Sequence, residues 1–330
     1  MKWRLILMSI LGLMVSGCHN ESGTEAKFSS FPKEIFLEGN AVHFPDSVPY
    51  VVGAISPVED GYWCYVYQND RFLMAVDSSF NPITFFAPRG GGPGETVSVS
   101  GNFGEKIGDT GLYSVFSSAS VTLFGTSPSN DYRLEKVESL DSLRKYAICG
   151  VCCLQNGNYI AKKGDFTCGI VEYDPAGKSV REWPVGLDPQ NQPVSEYKLN
   201  EMNVMAYNPA RGIVADVYRC CPTVVLHDEE GAVVRTITYD AYRPEKDAEG
   251  NVADCFGTLE LSDDYIWILY DGKEDDPYSL VFVVDYDGKP VASLKIGKCI
   301  NICIDEKRER LIAINPGEDP GVVCYPLPDL

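Results

Sequence analysis

Histidine is scarce in this chain, with three in 330 residues, at positions 19, 43 and 227. That works against hydrolytic centres built on Ser-His-Asp or Cys-His pairs, which need a histidine beside the nucleophile. Basic side chains are also few: 28 Lys and Arg stand against 47 Asp and Glu, a formal net charge of −19. Such a surface repels phosphate backbones and anionic headgroups, so nucleic acid is not expected as a partner. No apolar run approaches the roughly 20 residues that span a bilayer, and no amphipathic stretch of useful helical length interrupts the strand-like alternation. No Gly-Lys-Ser/Thr follows the glycine-rich stretch at 89–95, as a phosphate loop requires.

What is present begins at the N-terminus. Lys2 and Arg4 precede an apolar run from Leu5 to Val15, and Val15-Ser16-Gly17-Cys18 follows. The run fits the hydrophobic region of a secretory signal. Small residues ahead of a cysteine resemble the lipobox of bacterial lipoproteins, which implies cleavage after Gly17 and a lipid on Cys18. The next residue is His19 rather than the aspartate that marks inner-membrane retention, so the same resemblance implies the outer membrane. The polar stretch from His19 to Ser30 reads as a tether. The expected organisation is a signal peptide over 1–17, a lipidated tether over 18–30 and a folded domain over 31–330. Losing the signal removes two basic residues and no acid, leaving 26 against 47 and a net of −21. The membrane link is then expected to be the lipid alone.

Twelve cysteines would suggest a disulfide scaffold in a short secreted chain, but this chain is long enough to bury a core without staples. Cys64, Cys299, Cys303 and Cys324 sit inside strand-like runs and read as small apolar core residues. Cys149 and Cys152 have CxxC spacing, yet no second CxxC follows, so neither zinc nor a redox pair is expected.

A repeat organises the remainder. Two or three apolar residues, Asp, two residues, Gly and a second apolar run recur at Asp174/Gly177, Asp228/Gly231 and Asp285/Gly288; a weaker copy has Asp77, with Asn81 near the glycine role. This is a β-hairpin whose aspartate caps a turn closed by a left-handed glycine. Upstream of the hairpins, strands open at Gly61, Gly111, Gly157, Gly212, Asp264 and Glu309, roughly fifty residues apart. Six such units without helices predict an all-β, six-bladed β-propeller with four-stranded antiparallel blades. The last unit is one strand short, and the early strands "EIFLEG" and "AVHF" are expected to complete it and close the ring.

The stretch Asn69 to Glu95, with Asn-x-Arg, a strand ending in Asp, a returning strand and a glycine-rich Gly-Pro-Gly-Glu junction, resembles one NHL repeat. With the lipobox, the chain resembles the TolB-like six-bladed propeller lipoproteins of Bacteroidetes. That resemblance implies a cell-envelope propeller.

The junction itself, "RGGGPGE" from Arg89 to Glu95, is followed by strand-like alternation rather than a helix, so it reads as a crossing between blades and not as a phosphate cradle. In propellers such crossings share a face with the loops between second and third strands. Those loops are read here as 68–71, 117–120, 162–165, 219–222, 271–278 and 315–320. The candidate binding face therefore comprises Asp70, Arg71, Arg89, Glu95, Asp165, Arg219, Asp271, Asp275, Asp276, Glu318 and Asp319. Carboxylates dominate it, which suits an envelope protein or a small cationic ligand. No cofactor is expected. Calcium is the one ion that the oxygen-rich loops leave open, although neither "DYDG" nor "DGKEDD" continues into an EF-hand. Asn203 and Asn301 are candidates to face the channel. The expected function is a binding or interaction module, with no catalytic or metal residue assigned. The alternative is a metal-assisted hydrolase or lyase of NHL or paraoxonase type at the channel mouth.

Overall fold

The computed structural model describes residues 24–44, 51–67, 70–99, 103–108, 110–139, 148–163, 169–183, 204–218, 221–241, 255–270, 276–316, 319 and 321–330. Three short strands come first: β1 (Glu25–Phe28), β2 (Glu34–Phe36) and β3 (Asn40–Ala41). Blade 1 follows as β4 (Val51–Val58), β5 (Gly61–Tyr67), β6 (Arg71–Asp77) and β7 (Pro82–Pro88), and blade 2 as β8 (Phe103–Lys106), β9 (Tyr113–Ser117), β10 (Thr122–Thr126) and β11 (Glu135–Ser139). Blade 3 is β12 (Ile148–Cys153), β13 (Tyr159–Lys163), β14 (Ile170–Tyr173) and β15 (Ser179–Glu182). Blade 4 is β16 (Met205–Asn208), β17 (Ile213–Tyr218), β18 (Thr223–Asp228) and β19 (Val233–Tyr239). Blade 5 is β20 (Phe256–Leu261), β21 (Tyr265–Tyr270), β22 (Tyr278–Asp285) and β23 (Pro290–Gly297). Blade 6 has β24 (Asn301–Asp305), β25 (Arg310–Ile314) and β26 (Val322–Pro326) from the C-terminal end of the chain. The six sheets make a six-bladed β-propeller.

The turn chemistry read from the sequence is what shapes the blades. In three hairpins the aspartate Oδ1 accepts the backbone N–H four residues on, at 2.8 Å for Asp174, Asp228 and Asp285. The glycines at the third following position have φ of 72°, 82° and 82°. In blade 1 the corresponding position is Phe80, not Asn81, with φ 64°. A left-handed non-glycine residue costs about 1 kcal/mol or more. Burial of the Phe80 ring and its parallel stacking on Tyr62, with centroids 4.7 Å apart, offset that cost. Asn81 instead donates its side-chain amide to Asp77 Oδ2.

The core is a series of layers between neighbouring blades. Six buried clusters occupy six seams, for example Trp267, Leu269, Val281 and Leu311 between blades 5 and 6, and Tyr62, Cys64, Met74 and Ile312 between blades 6 and 1. The second of these closes the ring. There Tyr62 Oη donates to Asp305 Oδ2 at 2.7 Å, Arg308 Nη1 donates to the same oxygen at 2.8 Å, and Arg308 Nη2 reaches the Glu59 carbonyl at 2.8 Å. Cys64, Cys299 and Cys303 are buried in these layers, as expected of small apolar core residues, and so is Cys152. Cys324 is a half-buried free thiol.

Ring closure differs in detail from the sequence expectation. Only β3 completes blade 6, pairing antiparallel with β26. Strand β2, from "EIFLEG", adds to blade 5 as a fifth strand parallel to β23. Residues 25–28, expected in the tether, form β1, a fifth strand parallel to β19 of blade 4. The reason is local: Phe28 packs on Tyr239 and Phe282, with centroids at 5.3 and 6.3 Å, and Ala26 lies where only a glycine, Gly288, leaves room. Residues 24–44 are therefore a strap along the rim of blades 4, 5 and 6.

Candidate functional site

The glycine junction runs from outer strand β7 of blade 1 to inner strand β8 of blade 2, as a crossing should. Its own carboxylate occupies it: Gly92 N–H donates to Glu95 Oε2 at 2.9 Å, and Glu95 N–H donates to the Gly92 carbonyl at 3.1 Å. A Cβ on Gly90 would stand 2.0 Å from that same Oε2. The loop thus folds around an anion that the chain supplies, which answers the phosphate question in favour of a structural crossing. Gly90 and Thr96 hydrogen-bond across the base of the loop at 3.0 Å.

Around this crossing the structure gathers four of the predicted residues. Arg89 N–H donates to the Asp70 carbonyl at 3.0 Å, and its guanidinium lies 3.8 Å from the centroid of the Phe72 ring. Asp70 is exposed and 3.8 Å from Arg71, the first residue of β6. Asp276, half-buried, and Asp319, exposed, precede β22 and β26 on the same face, in blades 5 and 6. Asp165, Arg219, Asp271, Asp275 and Glu318 lie outside the described residues, as does Asn203. The predicted loop 162–165 starts too early: Lys162 and Lys163 belong to β13 and are buried.

Sequence reasoning missed the apolar part of this face. Tyr67, at the end of β5, is 44% exposed, Val97 after the glycine junction is 50% exposed, and Ile300 before β24 is 58% exposed. The Tyr67 ring lies against Gly53 of inner strand β4, where a Cβ would be 2.5 Å from it. Asn301 donates to the Gly53 carbonyl at 3.4 Å and accepts from Thr258 Oγ1 at 2.8 Å. It therefore ties the inner strands of blades 5, 6 and 1, which is the satisfied polar role rather than an open channel ligand.

Inside the channel, Glu105 of β8 and Glu260 of β20 come from opposite blades. Burial first, and then the Glu105 charge, push the Glu260 carboxyl up to about 8, which favours its protonated form. Glu260 keeps partial water contact along the channel while the surrounding walls desolvate it. Burial and Glu105 likewise push the Cys153 thiol up to about 12. Among the described residues, no group of three His, Cys, Asp or Glu side chains is arranged to hold a metal.

A second polar cluster lies buried between blades 3 and 4. Lys162 Nζ is paired with Asp216 Oδ2, both side chains being at most 2% exposed, and sits 5.0 Å from the Tyr218 ring centroid. Asp216 Oδ1 has no hydrogen-bond partner among the described residues. Burial lowers the pKa of His227 in this seam, and the nearby Lys162 works in the same direction. Glu172 pays for its burial with three donors, Asn158, Arg181 and Trp183, which hold its carboxyl below the usual range. His43 is exposed after β3.

No protein-family model matches the chain, and no curated protein matches it in sequence. Solved structures match its fold. A putative exported protein from Bacteroides fragilis is 10% identical with a TM-score of 0.57, covering 92% of this chain and 98% of its own. A member of the DUF4221 family from Bacteroides vulgatus is 12% identical with a TM-score of 0.55, covering 89% and 98%. A protein of unknown function from Bacteroides thetaiotaomicron is 10% identical with a TM-score of 0.52, covering 90% and 75%. At such identities the likeness is one of fold.

Proposed function

We propose that this chain is a lipid-anchored propeller of the cell envelope, of TolB-like or NHL-like type, that holds a protein partner on the face bearing the glycine crossing. The observation that carries the reading is the exposed apolar set Tyr67, Val97 and Ile300 on that face, set beside the fixed charges of Asp70, Arg71 and Arg89. Aromatic and aliphatic groups left in water on a rigid scaffold, rimmed by charge, have the composition of an interaction surface. The signal-like N-terminus and the exported description of the Bacteroides fragilis neighbour support the envelope address.

Two measurements test this reading. Cys18→Ser should move the protein from the membrane fraction to the soluble one and remove the lipid mass; unchanged fractionation and mass would end the lipoprotein assignment. In crosslinked envelopes, Tyr67→Glu with Ile300→Glu should abolish the crosslinked species formed by the wild type. An undiminished species would mean that this face is not the interface.

A further inference from the structure

The opposite face, where the first and second strands of each blade are joined, carries a cavity of about 430 Å³ at the seam that closes the ring. It lies between blade 6 and the Ser79–Phe80 turn of blade 1, and one wall is the strap, through Asn40, Ala41 and Val42. Its volume falls in the range of small-molecule pockets. The buried rings of Phe80 and Tyr325 give it an apolar side.

Its polar side is Arg310. The Nη1 group of that residue donates to Tyr62 Oη at 3.3 Å and to the Ser78 carbonyl at 2.6 Å. Those two bonds hold the guanidinium plane in place while the Nε and Nη2 donors are not used by them. Arg308, on the same wall, is neutralised by Asp305 at 2.8 Å, whereas no carboxylate is paired with Arg310 among the described residues. Arg310 is the cross-strand neighbour of Asp305 and is linked to that carboxylate through Tyr62 Oη, which accepts from Arg310 and donates to Asp305. The side-on pair Nε and Nη2 matches a carboxylate bidentately. Glu309 at the mouth is exposed, where water and salt screen its charge.

We propose that this cavity binds a small organic carboxylate, with the carboxylate on Arg310 Nε and Nη2 and the apolar portion against Phe80 and Tyr325. Because β3 forms part of the wall, an occupant also holds the strap on blade 6 and stabilises ring closure by mass action. The site is on the other face from the proposed protein interface, and the two readings stand or fall separately.

Phenylacetate is a suitable probe, titrated into the full chain by ligand-observed NMR with the melting temperature followed in parallel. Saturable binding and a rise in melting temperature are expected. Phenylacetamide, of the same shape without the charge, should bind at least tenfold more weakly, and Arg310→Gln should weaken phenylacetate at least tenfold. Absence of saturable binding, equal affinity for the amide, or full affinity in folded Arg310→Gln would each overturn the proposal. If Arg310→Gln does not fold, Ser79→Trp fills the cavity from an exposed turn without removing the guanidinium. Binding retained in that variant would place the probe elsewhere and overturn the proposal equally.

Discussion

Lys162→Met should be among the most damaging single changes in the propeller. The substitution keeps most of the side-chain volume but removes the partner of Asp216, a carboxylate at most 2% exposed whose other oxygen already lacks a hydrogen bond. Breaking one side of a buried ion pair costs about 3–5 kcal/mol, because the remaining charge is neither solvated nor paired. Replacing both partners, as Lys162→Met with Asp216→Leu, leaves an apolar seam continuous with Ile160, Ile170 and Val214. That double variant should return to within about 1 kcal/mol of the wild type. Urea unfolding at pH 7 reads all four corners of the cycle. A single variant that loses less than about 1 kcal/mol, or a double variant as unstable as the single, would refute the claim that the pair is dry and mutually dependent.

His227 is kept neutral by burial, so the unfolded chain binds its proton more readily; stability should hold above about pH 6.5 and fall as the pH drops through the lowered folded pKa. His227→Gln should flatten that acid limb in urea midpoints taken against pH. Glu260 has the opposite sign: with its pKa pushed up to about 8, the fold keeps a proton that the unfolded chain releases, so stability should decline as pH rises from about 4.5 to about 8. Glu260→Gln should remove this decline, raising the urea midpoint more at pH 8.5 than at pH 5. Phe80→Gly relieves a left-handed φ yet loses a buried, stacked ring, a difference of about 1–2 kcal/mol in favour of the wild type. A more stable glycine variant would show that strain, and not packing, dominates that turn. Gly90→Ala drives a methyl into the Glu95 carboxylate and should cost about 1 kcal/mol, whereas Gly91→Ala, which meets nothing within 4 Å, should be close to neutral.

The propeller was legible because its period is written in turn residues. Asp174, Asp228 and Asp285 with their glycines perform backbone tasks that few other residues can, and Gly61, Gly157 and Gly212 stand at the start of second strands or within two residues of it. Their spacing therefore counts blades without any knowledge of packing. The strap was only partly legible. A sequence such as "EAKF" becomes a strand because an outer edge and a vacant site over Gly288 happen to receive it, and those belong to residues more than two hundred positions away. The Lys162–Asp216 pair was illegible for a similar reason. Two lysines ahead of Gly-Asp read as loop until the facing blade supplies a buried carboxylate. On the candidate face, charge could be counted from composition, while the exposure of Tyr67 and Ile300 depends on where the inner strands end.

The strap also sets how the molecule responds to a pull. A force applied to the chain ahead of Glu25 meets β1 first, then β2, and reaches β3 last, since these lie in series on three consecutive blades. The outer two are surplus strands on blades already complete with four, so shedding them leaves every blade intact. Only the loss of β3, two residues long, strips a blade of its fourth strand. Tension would thus lengthen the leash in two steps before it threatens the ring, which makes the rim of blades 4 and 5 a built-in shock absorber for anything that holds the protein by its N-terminal end.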